Sequence, residues 1–351
     1  MTNIAIPSSA TPGLDLERFG RWHADEGFGP LVGELRAELI TGGKSNLTYR
    51  VYDDFSSWVV RRPPLGHVQE TAHDMGREFR VMSSLGASEV PVPGTYALCT
   101  DLSVLGANFY VMEYVRGISY RNAEQLRPLG PETTTAVVDS MIDVLAALHS
   151  VRPPDVGLSS LGRPEGFLGR QVRRWGRQLE GSRSRDLPDA DRLLHKLNER
   201  ADTHADGETS IVHGDYRLDN LLVRDGAVHA VIDWEMATLG DPLTDLALLF
   251  VYHRLNQISN ARGVATASMA PGYPGIEHQL LRYQAASGRR VNDMSFHLGL
   301  AHFKLAVILE GIHYRHVRGG TVGDGFADVG ASVQPLLAAG LRAIRRSTPG
   351  E

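Results

Sequence analysis

The pattern of apolar and polar positions in the first part of the chain predicts short β-strands. Five apolar runs are bounded by turn residues such as Gly, Asp and Pro, as strands usually are. The runs are Leu35–Ile40, Leu47–Tyr52, Trp58–Val60, Ala97–Cys99 and Asn108–Val115. Apolar residues at near-helical spacing predict a short amphipathic helix over residues 14–22, and residues 71–82 read as the main helix of this part.

After residue 116 the pattern predicts mostly helices. Apolar residues recur at helical spacing in five segments. These are residues 131–150, 166–180, 276–287, 293–316 and 325–346. We therefore predict a flexible tail at residues 1–13, a smaller domain over residues 14–115 and a larger, mostly helical domain over residues 116–351.

The composition is that of a globular protein and excludes several classes. The chain of 351 residues is 42% apolar and 22% charged, which are ordinary values. Its net charge of −5 gives no reason to expect a nucleic-acid partner. Cys99 is the single cysteine, so we expect neither an intrachain disulfide nor a cysteine-based zinc site. The first residues do not resemble a signal peptide, and no apolar run approaches the ~20 residues of a membrane span. We therefore expect a cytoplasmic location and no membrane partner.

The candidate chemistry is concentrated in one segment. An apolar run leads into His213-Gly-Asp215, Asn220 follows five residues later, and Asp233 ends a second apolar run. This strand–loop–strand pattern can point three oxygen-bearing side chains into one cleft. Phosphoryl transfer needs such a set, because one carboxylate accepts the proton of the attacking hydroxyl and other oxygens hold magnesium against the nucleotide phosphates. A hairpin with a turn rich in Asp and Asn is the alternative, but it does not require these motifs in this order.

The motifs His213-Gly-Asp-x-x-x-x-Asn220 and Ile232-Asp-Trp234 resemble those of the aminoglycoside phosphotransferase family of kinase-like enzymes. By motif order the resemblance covers roughly residues 30 to 320. It implies an α+β, protein-kinase-like fold of two lobes, a small lobe with a five-stranded antiparallel sheet and a large, mostly helical lobe. It also implies that ATP, with Mg²⁺, lies in the crevice between the lobes.

The resemblance assigns roles to the residues of the segment. Asp215 would be the catalytic base, and Asn220 and Asp233 would bind Mg²⁺. Arg217 stands two residues after Asp215, where protein kinases often have a Lys that steadies the transferring phosphoryl group, and we predict that role for it. We interpret Asp219 as loop scaffold.

The turn after the first predicted strand contains Gly42, Gly43, Ser45 and Asn46. It looks like the end of a P-loop, but a P-loop has Gly where this chain has Glu38, and it leads into a helix. We interpret the turn as the hairpin that covers the nucleotide phosphates in kinase folds. The two glycines would let the backbone approach, and Ser45 and Asn46 would offer donors. An ordinary Gly-Gly hairpin explains these residues equally well.

Three more positions would contact the nucleotide or support it. Kinase folds place a Lys at the end of the third strand to grip the phosphates, and this chain has Arg61, with Arg62 beside it, which could do so with a bidentate fork. The residues do not show which of the two points inward. Glu78 is the predicted partner of that Arg, with a solvated helix Glu as the alternative. At the end of the fifth strand, backbone groups of Glu113 and Val115 would bind adenine, unless this is an ordinary buried strand.

The residues after the catalytic segment indicate a small-molecule acceptor. Only eight residues separate Asp233 from Asp241, too few for the activation segment of a protein kinase, and its closing Ala-Pro-Glu is absent. We interpret Asp241 and Asp245 as structural residues that cap helices and pair with charges near the catalytic loop. We interpret His149 as a packing or capping residue.

The charge pattern and a closer resemblance indicate the kind of acceptor. Seven Arg and two Glu lie between residues 163 and 185, and eleven basic residues oppose six acidic ones after residue 245, whereas a site for polycationic aminoglycosides should be rich in carboxylates. The basic helix, the catalytic motif and the arginine-containing strand resemble the kinase-like amino-terminal domain of acyl-CoA dehydrogenase family members 10 and 11. This implies ATP-dependent phosphorylation of a hydroxyl on a hydroxy acid or hydroxyacyl-CoA. An aminoglycoside kinase conferring resistance and a nucleotide-binding pseudokinase acting by interaction stay open as alternatives.

Overall fold

The computed structural model of the chain describes residues 11–40, 46–65, 74–201, 207–258, 266–319 and 329–345. Within these ranges the chain forms two compact units. The first unit consists of the described residues up to Gly117 together with His229–Ala237, and the second consists of Ile118–Val228 and the described residues from Thr238 onward. Asp233 therefore belongs to the first unit, whereas Asp215 and Asn220, which precede it in the chain, belong to the second.

The first unit is built on an antiparallel sheet of five strands, as predicted. The strands are β1 (Arg36–Leu39), β2 (Leu47–Tyr52), β3 (Ser57–Arg62), β4 (Thr95–Cys99) and β5 (Phe109–Glu113). Their order in the sheet is β1-β2-β3-β5-β4, and all neighbours are antiparallel. β3 continues past its predicted end, so Arg61 and Arg62 are strand residues whose side chains point to opposite faces.

Three helices complete the described part of the first unit. They are α1 (Leu16–Asp25), α2 (Met75–Leu85) and α3 (Leu102–Leu105). Asp15 caps α1 by accepting hydrogen bonds from the N–H groups of Glu17 and Arg18. Asp74 caps α2 in the same way, so this helix begins at Met75, whereas the predicted start at residue 71 lies outside the described residues.

Aromatic side chains fix α1 against the sheet. Trp22 meets Phe109 of β5 edge-on, with ring centroids 4.9 Å apart, and Phe19 lies 6.2 Å from the same ring. Phe19 and Phe109 are fully buried. Such edge-to-face pairs add to the stability gained from apolar burial alone, so the short helix serves as a cover for one face of the sheet.

The second unit is mainly helical. Its helices are α4 (Ala123–Leu126), α5 (Gly130–Ser150), α6 (Phe167–Ser182), α7 (Pro188–Ala201), α8 (Leu243–Ile258), α9 (Ile276–Ser287), α10 (Ser295–Val317) and α11 (Val333–Arg345). The sequence pattern predicted α5, α6, α9, α10 and α11, although α11 begins later than residue 325. It did not predict α7 or α8. α8 is apolar on nearly all sides because it is buried, so it lacks the amphipathic periodicity by which a helix is recognised.

Short strands hold the predicted catalytic loop. They are β6 (Ser210–Val212), β7 (Leu221–Arg224), β8 (Ala227–Val231) and β9 (Thr238–Gly240). β6 pairs with β9, and β7 pairs with β8 across a turn in which Asp225 and Gly226 have positive φ. Residues 213–220 therefore connect the end of one strand to the start of another, as the strand–loop–strand pattern predicts.

Among the described helices, α10 alone is long and apolar enough to cross a membrane by length and composition. However, 78% of its most apolar 18-residue stretch is buried within the structure. α10 packs against α6, α7, α8 and α11. Its apolar character is accounted for by its position at the centre of the second unit.

Candidate active site

A buried carboxylate holds the start of the catalytic loop in place. Asp245, in the first turn of α8, accepts hydrogen bonds from the backbone N–H groups of His213 at 2.7 Å and Gly214 at 2.8 Å. His149 lies 3.4 Å from the same carboxylate and bonds to the Tyr283 hydroxyl at 2.8 Å through its other ring nitrogen. Burial alone would raise the pKa of Asp245, but these hydrogen bonds and the two histidines hold it below its ordinary value. Asp245 and His149 are thus structural residues, as predicted.

The predicted base, Asp215, is oriented by three neighbours within the second unit. The Asn220 amide nitrogen donates to the Asp215 backbone carbonyl at 2.8 Å and to its Oδ2 at 3.1 Å. The Arg217 Nε lies 3.3 Å from that Oδ2, and the Tyr252 hydroxyl donates to Oδ1 at 3.5 Å. The Asp215 side chain is still 29% exposed. A carboxylate that is fixed in direction yet open to solvent can receive a proton from a bound hydroxyl.

Arg217 lies between two carboxylates. Its Nη2 is 2.9 Å from Asp219 Oδ2, and its guanidinium lies 5.0 Å from the centre of the Tyr252 ring. Burial raises the pKa of Asp219, although the charge of Arg217 opposes the shift. We call Asp215, Arg217, Asp219, Asn220 and Tyr252 the Arg217 cluster. Asp219 has a defined scaffold role in it, because it holds the guanidinium beside the base.

A small cavity of about 30 Å³ lies beside this cluster in the second unit. Its lining is rich in aromatic side chains and consists of Tyr120, Arg217, Leu218, Asp219, Leu249, Tyr252, His253, Ala267, Ser268 and Tyr273. Sequence reasoning did not identify Tyr252 or the other aromatic residues. They come from separated segments, and no spacing in the chain relates them to Asp215.

The first unit contains a second arginine between two carboxylates. Arg61 Nε lies 3.1 Å from Glu78 Oε2, and the same guanidinium pairs with Asp233 Oδ1. The predicted Arg61–Glu78 pair is therefore present. Arg62, on the other face of β3, donates instead to the backbone carbonyls of Gly13 and Leu105 at 2.5 and 2.9 Å. Arg61 is therefore the arginine that faces the two acids Glu78 and Asp233, and Arg62 binds backbone carbonyls on the other face of the strand.

Three further side chains complete what we call the Arg61 cluster with Arg61, Glu78 and Asp233. Asn46 Nδ2 donates to Glu78 Oε1 at 3.2 Å and to Glu235 Oε2 at 3.4 Å, and the Tyr110 hydroxyl donates to Glu78 Oε2 at 3.0 Å. Glu78 has no exposed surface, and its burial raises its pKa while Arg61 opposes the shift. Sequence reasoning did not identify Tyr110 and Glu235.

Of the predicted phosphate-binding residues in the turn before β2, the structure describes Asn46. Gly42, Gly43 and Ser45 lie outside the described residues. Asn46 is described, and its amide nitrogen is already committed to Glu78 and Glu235. The predicted donor role of Asn46 toward phosphate therefore competes with these internal hydrogen bonds.

The predicted adenine contact at Glu113 is restricted by the sheet. The backbone N–H of Glu113 donates to the Gly94 carbonyl at 2.7 Å, and its side chain accepts from the Gly94 N–H at 3.1 Å. The backbone N–H of Glu113 is therefore already bonded within the protein. Val115 lies beyond the end of β5, outside regular secondary structure.

The two predicted metal ligands have suitable chemistry. Asn220 donates its amide N–H to Asp215, which leaves its amide oxygen as the ligand atom. Asp233 has a left-handed backbone, with φ of 68°, and one of its carboxylate oxygens pairs with Arg61. Carboxylate and amide oxygens are ligands that Mg²⁺ accepts, usually together with waters and phosphate oxygens. In the part of the chain that the structure describes, no cluster of three or more His, Cys, Asp and Glu residues could hold a metal, so each of these side chains would need waters or phosphate oxygens to complete the coordination of Mg²⁺.

A catalytic loop with an oriented Asp, an adjacent Asn and a separate Asp–Arg–Glu cluster defines a kinase-like phosphotransferase. The sequence profile of the phosphotransferase enzyme family (APH) matches residues 36–287. The chain belongs to this family. The predicted family is thereby confirmed, and with it a small-molecule phosphotransferase that uses a hydroxyl acceptor.

Individual relatives agree with this assignment. Human acyl-CoA dehydrogenase family member 11 is 32% identical over 350 residues, a match that covers 97% of this chain and 44% of the human protein. The chain thus spans less than half the length of that relative. A Ralstonia eutropha protein assigned as an aminoglycoside phosphotransferase is 33% identical in sequence, and its crystal structure matches this one with a TM-score of 0.81. The match covers 95% of this chain and 99% of the Ralstonia eutropha chain.

A more distant structure shows the fold alone. The aminoglycoside phosphotransferase APH(4)-Ia, solved as a thermostable mutant with AMP-PNP and hygromycin B, is 16% identical with a TM-score of 0.61. The match covers 94% of this chain and 99% of the APH(4)-Ia chain. The predicted protein-kinase-like fold is confirmed by these likenesses and by the observed five-stranded sheet.

Proposed function

We propose that this phosphotransferase moves the γ-phosphate of ATP to a hydroxyl of a hydroxy acid or a hydroxyacyl-CoA. The observation that carries the proposal is the geometry of Asp215, which is held by Asn220 and Tyr252 yet remains partly exposed. This is the arrangement that a general base needs, because it must keep one direction and still meet a substrate proton.

In the proposed reaction, Asp215 receives the proton of the acceptor hydroxyl as the hydroxyl oxygen attacks the γ-phosphorus, while the bond from that phosphorus to the bridging oxygen breaks and ADP leaves. Arg217 is held beside Asp215 by Asp219 and can direct an N–H group at the transferring phosphoryl group. Most of the catalysis in such a transfer comes from positioning and charge stabilisation, since little covalent chemistry falls to the protein. Asn220 and Asp233 would hold magnesium, which supplies positive charge to the phosphates when it is bound.

The first unit carries the residues that we propose for the nucleotide. Arg61 is an arginine with fixed orientation, supported by Glu78 in the manner of the Lys–Glu pair of protein kinases. The distant relative APH(4)-Ia was crystallised with the ATP analogue AMP-PNP, which supports a nucleoside triphosphate as the donor. Because the Glu113 N–H is bonded to Gly94, we assign the contact with the exocyclic amine of adenine to the Glu113 carbonyl.

The acceptor class rests on surface charge and on the relatives. Three of the arginines between residues 163 and 185 are used internally, because Arg183 pairs with Asp191, Arg185 pairs with Glu310, and Arg170 donates to backbone carbonyls. Exposed arginines remain on α6 at positions 173, 174 and 177. A cationic surface favours an anionic acceptor over a polycationic aminoglycoside. The name of the human relative refers to acyl-CoA chemistry, which agrees with this choice.

An antibiotic acceptor is the second candidate. It is favoured by the Ralstonia eutropha protein, which is assigned as an aminoglycoside phosphotransferase and resembles this chain over nearly its whole length. A pseudokinase is disfavoured, because Asp215, Asn220 and Asp233 are all present in the two clusters.

The test is an acceptor panel read by mass spectrometry. The purified protein is incubated with ATP and Mg²⁺ and with hydroxyacyl-CoAs, free hydroxy acids or aminoglycosides. We expect a phosphorylated product from one of the first two classes, and none from Asp215→Ala. Asp225→Ala, which removes an exposed carboxylate from the turn between β7 and β8, is the matched control and should retain activity. Transfer to aminoglycosides alone would overturn the proposed acceptor, and nucleotide binding without any product would favour the pseudokinase.

A further inference from the structure

A lysine lies next to the catalytic loop without a role in the proposed reaction. Lys304 is on α10 and is mostly buried. Its Nζ donates to the backbone carbonyl of Gly214 at 2.5 Å. That carbonyl belongs to the peptide bond that leads directly into Asp215, so the ammonium group lies close to the predicted base. The chain has only three lysines, at positions 44, 196 and 304, which makes a lysine at this position notable against a background of arginines.

The indole ring of Trp175 lies near both Lys304 and a second cation, Arg174. Lys304 Nζ lies 5.4 Å from the centre of this ring, and the Arg174 guanidinium lies 5.5 Å from it. Trp175 is only 4% exposed, whereas Arg174 is exposed. Cations within about 6 Å of an aromatic face are attracted to it. Trp175 therefore lies beside two positive charges near the start of the catalytic loop, the partly buried Lys304 and the exposed Arg174.

The charges around Lys304 are not balanced by an ion pair. Among the described residues, no carboxylate lies within ion-pair distance of Lys304 or Arg174. Burial lowers the pKa of Lys304, the charges of Arg174 and Arg217 lower it further, and Asp215 and Asp245 act in the opposite direction. An ammonium group has three donors, and the protein accepts one of them at Gly214.

A buried charge that lacks its full set of partners is costly unless a ligand completes that set. We propose that Lys304, with Arg174 as its exposed neighbour, forms an anion subsite that binds a negatively charged oxygen of the acceptor beside Asp215. This inference rests on the proposed function and narrows it, since it requires an acceptor with an anionic group. The oxygen belongs to a carboxylate in a free hydroxy acid or to a phosphate in a coenzyme A ester.

The location of the subsite explains what it does for the reaction. An anion bound at Lys304 is anchored to the same peptide unit that carries the base. The acceptor hydroxyl is then presented to Asp215 by a fixed contact, which is how positioning contributes to rate. An acceptor that lacks the anionic oxygen loses this anchor and leaves the partly buried ammonium group of Lys304 with fewer partners. The subsite therefore acts in acceptor binding and has no part in binding the nucleotide.

The test is direct binding by calorimetry, which needs no turnover. The probes are 3-hydroxybutyrate, coenzyme A, the uncharged 1,3-butanediol and ATP. Lys304→Met removes the charge and keeps most of the length, Lys304→Arg keeps the charge, and Lys196→Met on α7 is the matched control. We expect Lys304→Met to weaken one anionic probe at least about tenfold, as loss of a partner from a desolvated charge contact does. Lys304→Arg should recover most of that loss, and Lys196→Met should bind like the wild type.

Each result supports the subsite or overturns it. A loss confined to 3-hydroxybutyrate assigns the subsite to a carboxylate, and a loss confined to coenzyme A assigns it to a phosphate. The proposal is overturned if the wild type binds neither anionic probe, if Lys304→Met binds both as tightly as the wild type does, or if ATP is the only ligand affected. Arg174→Gln changes an exposed residue and should weaken the same probe to a smaller extent, so the test holds even if Lys304→Met does not fold. Because no product is measured, failure of the acceptor panel is distinguishable from failure here.

Discussion

The two arginine-centred clusters are built alike and assembled differently. Arg61 lies between Glu78 and Asp233, and Arg217 lies between Asp215 and Asp219. The Arg217 cluster takes its core from one loop, in which the two carboxylates flank the arginine two residues away on either side. The core of the Arg61 cluster comes from β3, α2 and the segment after β8, which are far apart in the chain.

The difference extends to burial. In the Arg61 cluster the glutamate is fully buried, and the arginine side chain is 11% exposed. In the Arg217 cluster the side chain of Asp215, the predicted base, is 29% exposed. Removing one partner of a buried ion pair costs far more folding stability than removing one partner of a partly exposed pair. Glu78 therefore anchors the first cluster in the protein interior, whereas one aspartate of each cluster, Asp233 or Asp215, stays 29% exposed.

The largest expected effect separates the chemical roles of the two clusters. Asp215→Asn should lower kcat by about 10²- to 10⁴-fold, because the proton acceptor is lost, and extra Mg²⁺ should not restore it. Asp233→Asn also removes a carboxylate, but as a metal ligand, so raising the Mg²⁺ concentration should recover part of the lost activity. Steady-state kinetics over a range of Mg²⁺ concentrations measure both. Equal recovery of the two variants would contradict the assigned roles.

The next effect concerns stability. Arg61→Met leaves Glu78 buried without its cation and should lower the free energy of unfolding by about 3–5 kcal/mol. Arg217→Met is the matched substitution at the more exposed cluster and should cost about 1 kcal/mol or less. Urea denaturation of the two variants measures the difference. Similar losses would mean that burial does not distinguish the clusters.

Both clusters contain an acid whose pKa is raised by burial, so both should respond to pH in the same direction. The ordinary pKa values are 4.5 for Glu78 and 3.8 for Asp219, and each is higher in the folded protein. Above the ordinary pKa of each acid, the native state therefore binds more protons than the unfolded state. The contribution of the protonated acid to stability is lost as the pH rises through the higher pKa of the folded state. Glu78→Gln and Asp219→Asn lack the titrating acid, so each should become more stable relative to the wild type as the pH rises.

Urea denaturation from about pH 4 to pH 7 provides the measurement. The change in relative stability with pH should be larger for Glu78→Gln, because Glu78 is the more deeply buried acid. Curves that stay parallel to the wild-type curve would show that neither acid has a raised pKa.

The smallest effect concerns the orientation of the base. Tyr252→Phe removes the hydroxyl that reaches Asp215 at 3.5 Å, the longest hydrogen bond in the Arg217 cluster. We expect kcat, measured by steady-state kinetics, to fall by about two- to fivefold, as for loss of a weak hydrogen bond. Tyr273→Phe, at the same cavity, is the control and should leave kcat unchanged.

The contrast between the clusters also shows how far the sequence predicts the site. Asp215, Arg217 and Asn220 lie within six consecutive residues, so their spacing alone indicates that they act together, and the structure brings them together. The Arg61–Glu78 pair was predicted only through the family resemblance, because nothing in the chain between β3 and α2 relates the two residues. Tyr252 and Tyr110 were not predicted, since a hydroxyl that completes a distant cluster leaves no local pattern.

The fold shows the same division between local and long-range information. All five strands of the sheet and five of the larger helices could be predicted, from apolar runs bounded by turn residues and from apolar residues at helical spacing. α8 could not, since it is buried on nearly all sides. α7 did have a readable signal, with Ala190, Leu193 and Leu197 at helical spacing on its buried face, and this prediction was missed.

The neighbouring arginines of β3 restrict how this protein can change during evolution. Arg61 and Arg62 point to opposite faces of the sheet, and each has partners that the other cannot reach. Inserting or deleting one residue in the turn between β2 and β3 would exchange the two faces while leaving the local composition the same. Both arginines would then lose their partners at once. Length changes in that turn should consequently be rare among functional relatives, even where its residue identities vary freely.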